Sequence, residues 1–291
     1  MELLDRILVE NNPYLLINKL KDKYQEIRKM DKYKIASIIV VAFVIIGWSF
    51  IFIQGFLDVD ISGFEGIEPS RDREKIAVVR IEGSIENFQT SEKVVKVARD
   101  ESVEAAILLV NSPGGGVNSS FQLEEAVSAL SDKKPTAAIV NQAGASGAYL
   151  AISPVDNIFV YEQSLLGSLG VISIWRSLEN YYKEEGIEHY VFKTGKYKDM
   201  YQPWRGPTDE EEEMIKQDIL KIEREMIDLI LKNRNLSENE IPERAISGSA
   251  IRGDTAVQYG LADNVILTTQ EAIDKFTDSI GIEDYSIREI N

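Results

Sequence analysis

Residues 104–117 read EAAILLVNSPGGGV, and residues 135–151 read PTAAIVNQAGASGAYLA. Each begins with an apolar run lacking polar alternation and ends among small residues. Such a run predicts a strand buried on both faces, as in a parallel sheet covered by helices. Between the two, Asn118 to Leu130 sets Phe121, Leu123, Ala126, Val127 and Leu130 on one side of a helix. Strand, helix and strand in this order predict an α/β fold with a right-handed crossover. In such a sheet ligands gather beyond the carboxyl ends of the strands, where these small-residue turns fall.

The alternation continues outward. KIAVVRIEG (75–83) reads as the strand before, followed by a helix from Thr90 to Arg99. A helix from Ser146 to Ser153 and a fourth strand, NIFVYE (157–162), come after. SLGVI (168–172) and HYVFKTG (189–195) read as extended segments around a helix over 176–186. A long helix runs from Asp209 to Asn233, and ENEIPERAISG and DTAVQYGL form shorter ones. The acidic run TDEEEEM (208–214) reads as a helix start: Thr208 caps, Glu211 closes the box, and the acids face the positive end of the helix dipole.

Residues 35–53, IASIIVVAFVIIGWSFIFI, hold no charge over 19 positions. At helical rise they extend roughly 28 Å, about the thickness of a bilayer's hydrocarbon core. They predict one transmembrane helix after a short segment, 1–34. Seven basic residues from Lys19 to Lys34 precede the span, and Gln54 to Ser70 contains no Lys or Arg. That asymmetry puts the N-terminus in the cytoplasm and the rest of the chain outside the cell membrane. Residues 54–73 read as a linker, and 74–291 as one extracytoplasmic domain.

The net charge is −16, with +2 on residues 1–34 and −18 on the remainder. An acidic body of this kind repels phosphates and argues against nucleic acid. With no cysteine there is no thiol nucleophile or disulfide, and a single histidine, His189, argues against a metal centre. No cofactor is expected: the Gly114–Gly116 run lacks the Walker and dinucleotide-binding glycine patterns. That run reads either as a tight turn or as an oxyanion loop, whose N–H groups meet charge developing on a carbonyl.

Ser146 falls at the end of the third strand among Gly144, Ala145, Gly147 and Ala148. Small neighbours let a serine sit on a sharp strand-to-helix turn with its hydroxyl exposed. Taken alone it reads first as a helix cap. A nucleophilic serine needs a base, and no acid accompanies His189 to orient it. A lysine serves if its amine is neutral, which requires lowering its pKa from about 10.4 by roughly 3 units. FKTGKYKDMY (192–201) offers Lys193, Lys196 and Lys198, and composition does not choose among them.

VNSPGGGV (110–117), AGASGAYLAISPVDNIFVYEQSLLGSLGVI (143–172), KTGKYKDM (193–200) and GSAIRGDTAVQYGLADNV (248–265) together resemble the signal peptide peptidase SppA family. Those are membrane-anchored serine proteases on a ClpP/crotonase-like core of repeated β-β-α units. The resemblance implies Ser146 as nucleophile and Lys198, 52 residues later, as general base. It implies Gly115, then Gly114, with Gly147 as oxyanion donors, and Ser168 as the partner that orients the lysine amine. It further implies a homo-oligomer, peptide substrates left over from signal peptides, and contact with lipid through residues 35–53. A stomatin-associated membrane protease of the same clan and a non-catalytic membrane scaffold are the alternatives. The 52-residue spacing speaks against the first, and an intact serine and lysine against the second.

Overall fold

The computed structural model describes residues 74–290. The expected span over 35–53 and its flanks, 1–34 and 54–73, lie outside the described residues.

The elements are β1 (Glu74–Glu82), α1 (Gln89–Arg99), β2 (Ala105–Ser112), α2 (Val117–Ser131), β3 (Thr136–Ala145), α3 (Gly147–Ile152), β4 (Asn157–Tyr161) and β5 (Leu165–Gly167). These are followed by α4 (Glu179–Glu184), α5 (Asp209–Arg234), α6 (Glu243–Ile246), β6 (Ala250–Arg252), α7 (Gly253–Gln258), β7 (Asn264–Ile266), α8 (Thr269–Ile280) and β8 (Tyr285–Glu289). The result is a mixed α/β fold on a mostly parallel sheet. Its strand order is β6-β5-β3-β2-β1-β8, with β4 paired to β3 and β7 to β4.

Successive side chains of a strand point to opposite faces, so the continuous apolar runs feed two cores. Ala77, Val79 and Ile81 of β1 and Ala106, Leu108 and Val110 of β2 pack on one face with α1, α2 and α3. Ile76 and Val78, with Ala105 and Ile107, pack on the other with Ile273 and Phe276 of α8. This is why neither strand alternates with polar residues.

The third strand divides its partners. Ala137 to Val140 pair with β4, whereas Ala143 to Ala145 pair with β5, and the β2–β3 register shifts between Val110 and Ser112. The end of β3 thereby leaves β4 and finishes beside the glycine run after β2. Directly beyond it α3 is entirely buried, and its Tyr149 hydroxyl donates to the Leu261 carbonyl at 2.7 Å.

The long helix α5 carries the expected capping box, with Thr208 and Glu211 bonded reciprocally. Its far end is tied into the domain by Asn233, whose amide donates to Glu124 at 2.8 Å and to Ser153 at 2.9 Å. Burial raises the pKa of Glu124.

Two expectations change. SLGVI (168–172) and HYVFKTG (189–195) join no sheet; the strand in that region is β5, at 165–167. The outer edge of β5 is occupied by β6, which pairs antiparallel with it. The helix expected over 176–186 is shorter, Glu179–Glu184. The strands β6, β7 and β8 complete the sheet and α8 packs on one face of it, none of them having been legible beforehand.

Candidate active site

Ser146 occupies the single residue between β3 and α3. Its backbone lies at φ 54°, ψ −126°, a region that side-chain-bearing residues avoid at a cost of order 1–3 kcal/mol. The surroundings impose it. The Ser146 N–H donates to the Gly167 carbonyl at 2.7 Å, and its own carbonyl accepts from the Leu150 N–H at 3.0 Å. With every residue of α3 buried, the turn has nowhere to relax.

The Gly114–Gly116 run packs against this turn. A methyl group on Gly114 would lie 2.8 Å from the Gly147 nitrogen and 2.9 Å from the Ser146 Cβ, so only glycine permits the approach. Gly114 also adopts φ +101°, a conformation open mainly to glycine. Ile85 forms a parallel bridge with Gly115: its N–H donates to the Gly114 carbonyl at 2.9 Å, and its carbonyl accepts from the Gly116 N–H at 3.0 Å. In that pattern Gly115 directs its own N–H to the side opposite Ile85. On that side stands Gly147, where an added Cβ would sit 3.6 Å from the Gly115 nitrogen.

The Gly114 N–H is engaged by the Ser112 hydroxyl at 3.2 Å, whereas Gly115 donates to no acceptor among the described residues. The N–H of Gly147 opens a helix and has no intrahelical acceptor. The buried Ser120 hydroxyl, against Gly147, has no hydrogen-bond partner among the described residues. The structure thus gathers Ser146, Gly114, Gly115 and Gly147 at one sheet end, with two free N–H groups beside a strained serine.

Ser168 follows β5, two residues beyond the partner of Gly144 in the β3–β5 pairing. Its hydroxyl donates to the Gly248 carbonyl at 2.9 Å and its N–H to the Ser249 carbonyl at 3.2 Å. The hydroxyl oxygen retains lone pairs that could accept from an amine.

The three lysines separate by partner. Lys193 pairs with Asp199 at 2.6 Å, and Lys196 pairs with Glu210. The Glu210 carboxylate raises the pKa of Lys196, which holds its charge. Lys198 is exposed, and its amine makes no hydrogen bond or ion pair among the described residues. No contact joins it to Ser146 or Ser168 within the described chain. His189, exposed, packs edge-on to Tyr182 and stacks on Trp204 at 5.6 Å.

Sequence reasoning missed the ion-pair chain of buried Asp199, half-buried Arg205 and buried Glu211 beside the lysine turn. The available signal was an Arg between two acids each six residues away, a spacing with no local rule behind it.

Residues 128–283, more than half of the chain, match Peptidase family S49. The chain belongs to that family. It is 35% identical over 194 residues to a candidate protease of Methanocaldococcus jannaschii, covering 66% of this chain and 61% of that one. It is 30% identical over 205 residues to a candidate signal peptide peptidase SppA of Enterococcus faecium, covering 68% and 58%. It is 28% identical over 237 residues to Protease 4 of Haemophilus influenzae, covering 73% and 37%. The chain therefore spans about three fifths of the length of the first two relatives. The S49 match includes Ser146, Ser168 and Lys198 and begins after the glycine run.

Proposed function

We propose that this S49 chain is a membrane-anchored serine endopeptidase of the ClpP/crotonase-like clan, with Ser146 as nucleophile and Lys198 as general base. The observation that carries the reading is the backbone of Ser146, held at positive φ beside the free N–H groups of Gly115 and Gly147. Strain of this kind persists where the surrounding structure enforces it, and it clusters at reactive sites. A neutral Lys198 amine takes the Ser146 proton as the hydroxyl oxygen attacks a peptide carbonyl. The ammonium then protonates the leaving amine, and water releases the acyl group from Ser146. The Gly115 and Gly147 N–H groups hold the oxyanion; Gly114, already bonded to Ser112, is the weaker candidate. Ser168 accepts from the lysine amine.

Lys198 is favoured among the three lysines because the amines of Lys193 and Lys196 are engaged by Asp199 and Glu210, whereas that of Lys198 is not. Residues 168–207 expose Ile172 at 81% and Phe192 at 95%. A second copy covering this arm would bury those side chains and desolvate Lys198, so the working enzyme is a homo-oligomer in which adjacent copies can share a site. The uncharged stretch 35–53 anchors the chain in lipid, N-terminus cytoplasmic and catalytic domain extracytoplasmic. Substrates are apolar peptides at that surface, including residual signal peptides. No metal or cofactor enters the chemistry.

The test is Ser146→Ala and Lys198→Ala in the full-length protein on an apolar peptide. Each is expected to lose at least about 10³ in kcat. Near-normal cleavage by either variant sinks the dyad, and a dead Lys196→Ala beside an active Lys198→Ala moves the base.

A further inference from the structure

The turn bearing Lys198 is tied down on both sides while Lys198 itself is left free. On one side Lys196 and the Tyr197 hydroxyl both reach Glu210. On the other, Asp199 is only 6% exposed. Its Oδ1 accepts from the Lys193 amine at 2.6 Å and from Arg205 Nη2 at 2.9 Å, and its Oδ2 accepts from Arg205 Nε at 3.1 Å. The same guanidinium donates from Nη1 and Nη2 to the two oxygens of Glu211, each at 2.7 Å. Glu211 Oε2 also accepts the Thr208 N–H at 2.9 Å, closing the cap of α5. Arg205 lies over the Trp175 ring at 5.2 Å, and the indole N–H donates to the Arg205 carbonyl at 3.0 Å.

Two features lift this above an ordinary surface ion pair. The guanidinium is fully committed, forked on two carboxylates, which fixes the direction of both as well as their charge. And Asp199 is the chain neighbour of Lys198. Were its carboxylate released, it could turn toward that amine, and an adjacent anion holds an amine protonated. The charged groups facing the turn are Lys193, Lys196, Asp199, Arg205, Glu210 and Glu211, together with the Tyr197 phenol. Each of the four carboxylates and cations of the inner chain, Lys193, Asp199, Arg205 and Glu211, finds its counter-charge within it.

We infer that the Asp199–Arg205–Glu211 bridge is a positioning device: it anchors the Lys198 turn to the start of α5 and withholds the Asp199 carboxylate from the Lys198 amine. This rests on the reading of Lys198 as general base. Arg205 and Glu211 touch no reacting atom; they act through Asp199 and the turn.

The experiment uses the full-length chain in detergent with an apolar peptide substrate, reading kcat, KM, the pH profile and the melting temperature. Lys198→Ala serves as reference. Arg205→Gln is expected to lower kcat about 10- to 100-fold with KM nearly unchanged, because the base is misplaced. It should also move the rising limb of the pH profile up by about one unit, because Asp199, then held by Lys193 alone, can turn toward the ammonium and stabilise it. Adding Asp199→Asn to Arg205→Gln should return the limb toward its original pH while kcat stays low. Asp199→Asn alone should lower kcat without the upward movement. If Lys198→Ala is inactive but Arg205→Gln and Asp199→Asn both keep normal kcat and pH profiles, the positioning role is wrong and the dyad stands. Activity retained by Lys198→Ala overturns both. Should Arg205→Gln fail to fold, Asp199→Asn decides: a normal kcat rejects the bridge.

Discussion

The Ser146 turn and the Lys198 turn belong to one proposed reaction but are built by opposite means. At Ser146 the backbone does the work. A divided strand, a buried helix and three glycines leave one conformation open, and the important groups are main-chain N–H donors. At Lys198 there is little regular structure, few apolar contacts and wide exposure. Order there comes from a chain of ion pairs ending on the first turn of α5. Packing cannot be adjusted piecemeal, whereas a salt-bridged loop can be loosened by one substitution or by pH. The proposed nucleophile is therefore fixed by the sheet, while the proposed base sits on a loop held by ion pairs.

The contrast can be broken most severely at the glycines. A methyl on Gly115 would meet the Ile85 backbone at 2.4 Å, and that backbone is bridged to the loop on both sides. Gly115→Ala is expected to cost at least about 10² in kcat through the displaced N–H, and about 1–3 kcal/mol of stability through overpacking. Kinetics and thermal unfolding of the same preparation check both; normal kinetics would remove Gly115 from the oxyanion site.

A smaller effect is expected on the arm. Phe192→Asp adds charge to a side chain that is 95% exposed. It should leave the melting temperature of the isolated chain unchanged, weaken self-association in sedimentation, and lower activity about tenfold at low protein concentration. Unchanged sedimentation would remove the arm from the assembly.

The mildest test is pH. Arg205, and then the Thr208 N–H, hold the Glu211 carboxyl down to about 2. Arg205 and Lys193 hold Asp199 well below the usual carboxylate range. A depressed carboxylate contributes its stability above the unfolded value, about 4.3 for Glu, and loses it as pH falls through the folded value. The bridge should therefore be intact from neutral pH down to about 4 and open toward pH 2. A carboxyl-carbon NMR titration of Glu211 with a midpoint near 4 would show the bridge open in solution.

Much of the framework around Ser146 was readable from the sequence. Buried strands announce themselves by unbroken apolar runs, and helix starts by side chains that satisfy their own N–H groups, as Thr208 and Glu211 do. Both signals are local. Composition alone was a weaker guide: SLGVI and HYVFKTG read as extended segments, yet neither pairs with a strand among the described residues. The three-residue strands β6 and β7 fail for the complementary reason, being too short to show a period. The lysines were indistinguishable by composition, and it is the acids folded against Lys193 and Lys196 that set Lys198 apart.

Sequence by itself determined the β-α alternation, the two small-residue turns at the strand ends, the position of Ser146 on one of them, the capped start of α5 and the uncharged run over 35–53. Each depends on side-chain periodicity or on neighbours within about four positions. Tertiary structure alone decided that β3 divides between β4 and β5, that Gly115 rather than Gly114 keeps a free N–H, that Ser168 bonds the Gly248 carbonyl, and that Asp199, Arg205 and Glu211 share one guanidinium. These depend on which distant groups meet, and a hydrogen bond or an ion pair forms only once folding has brought its two ends together.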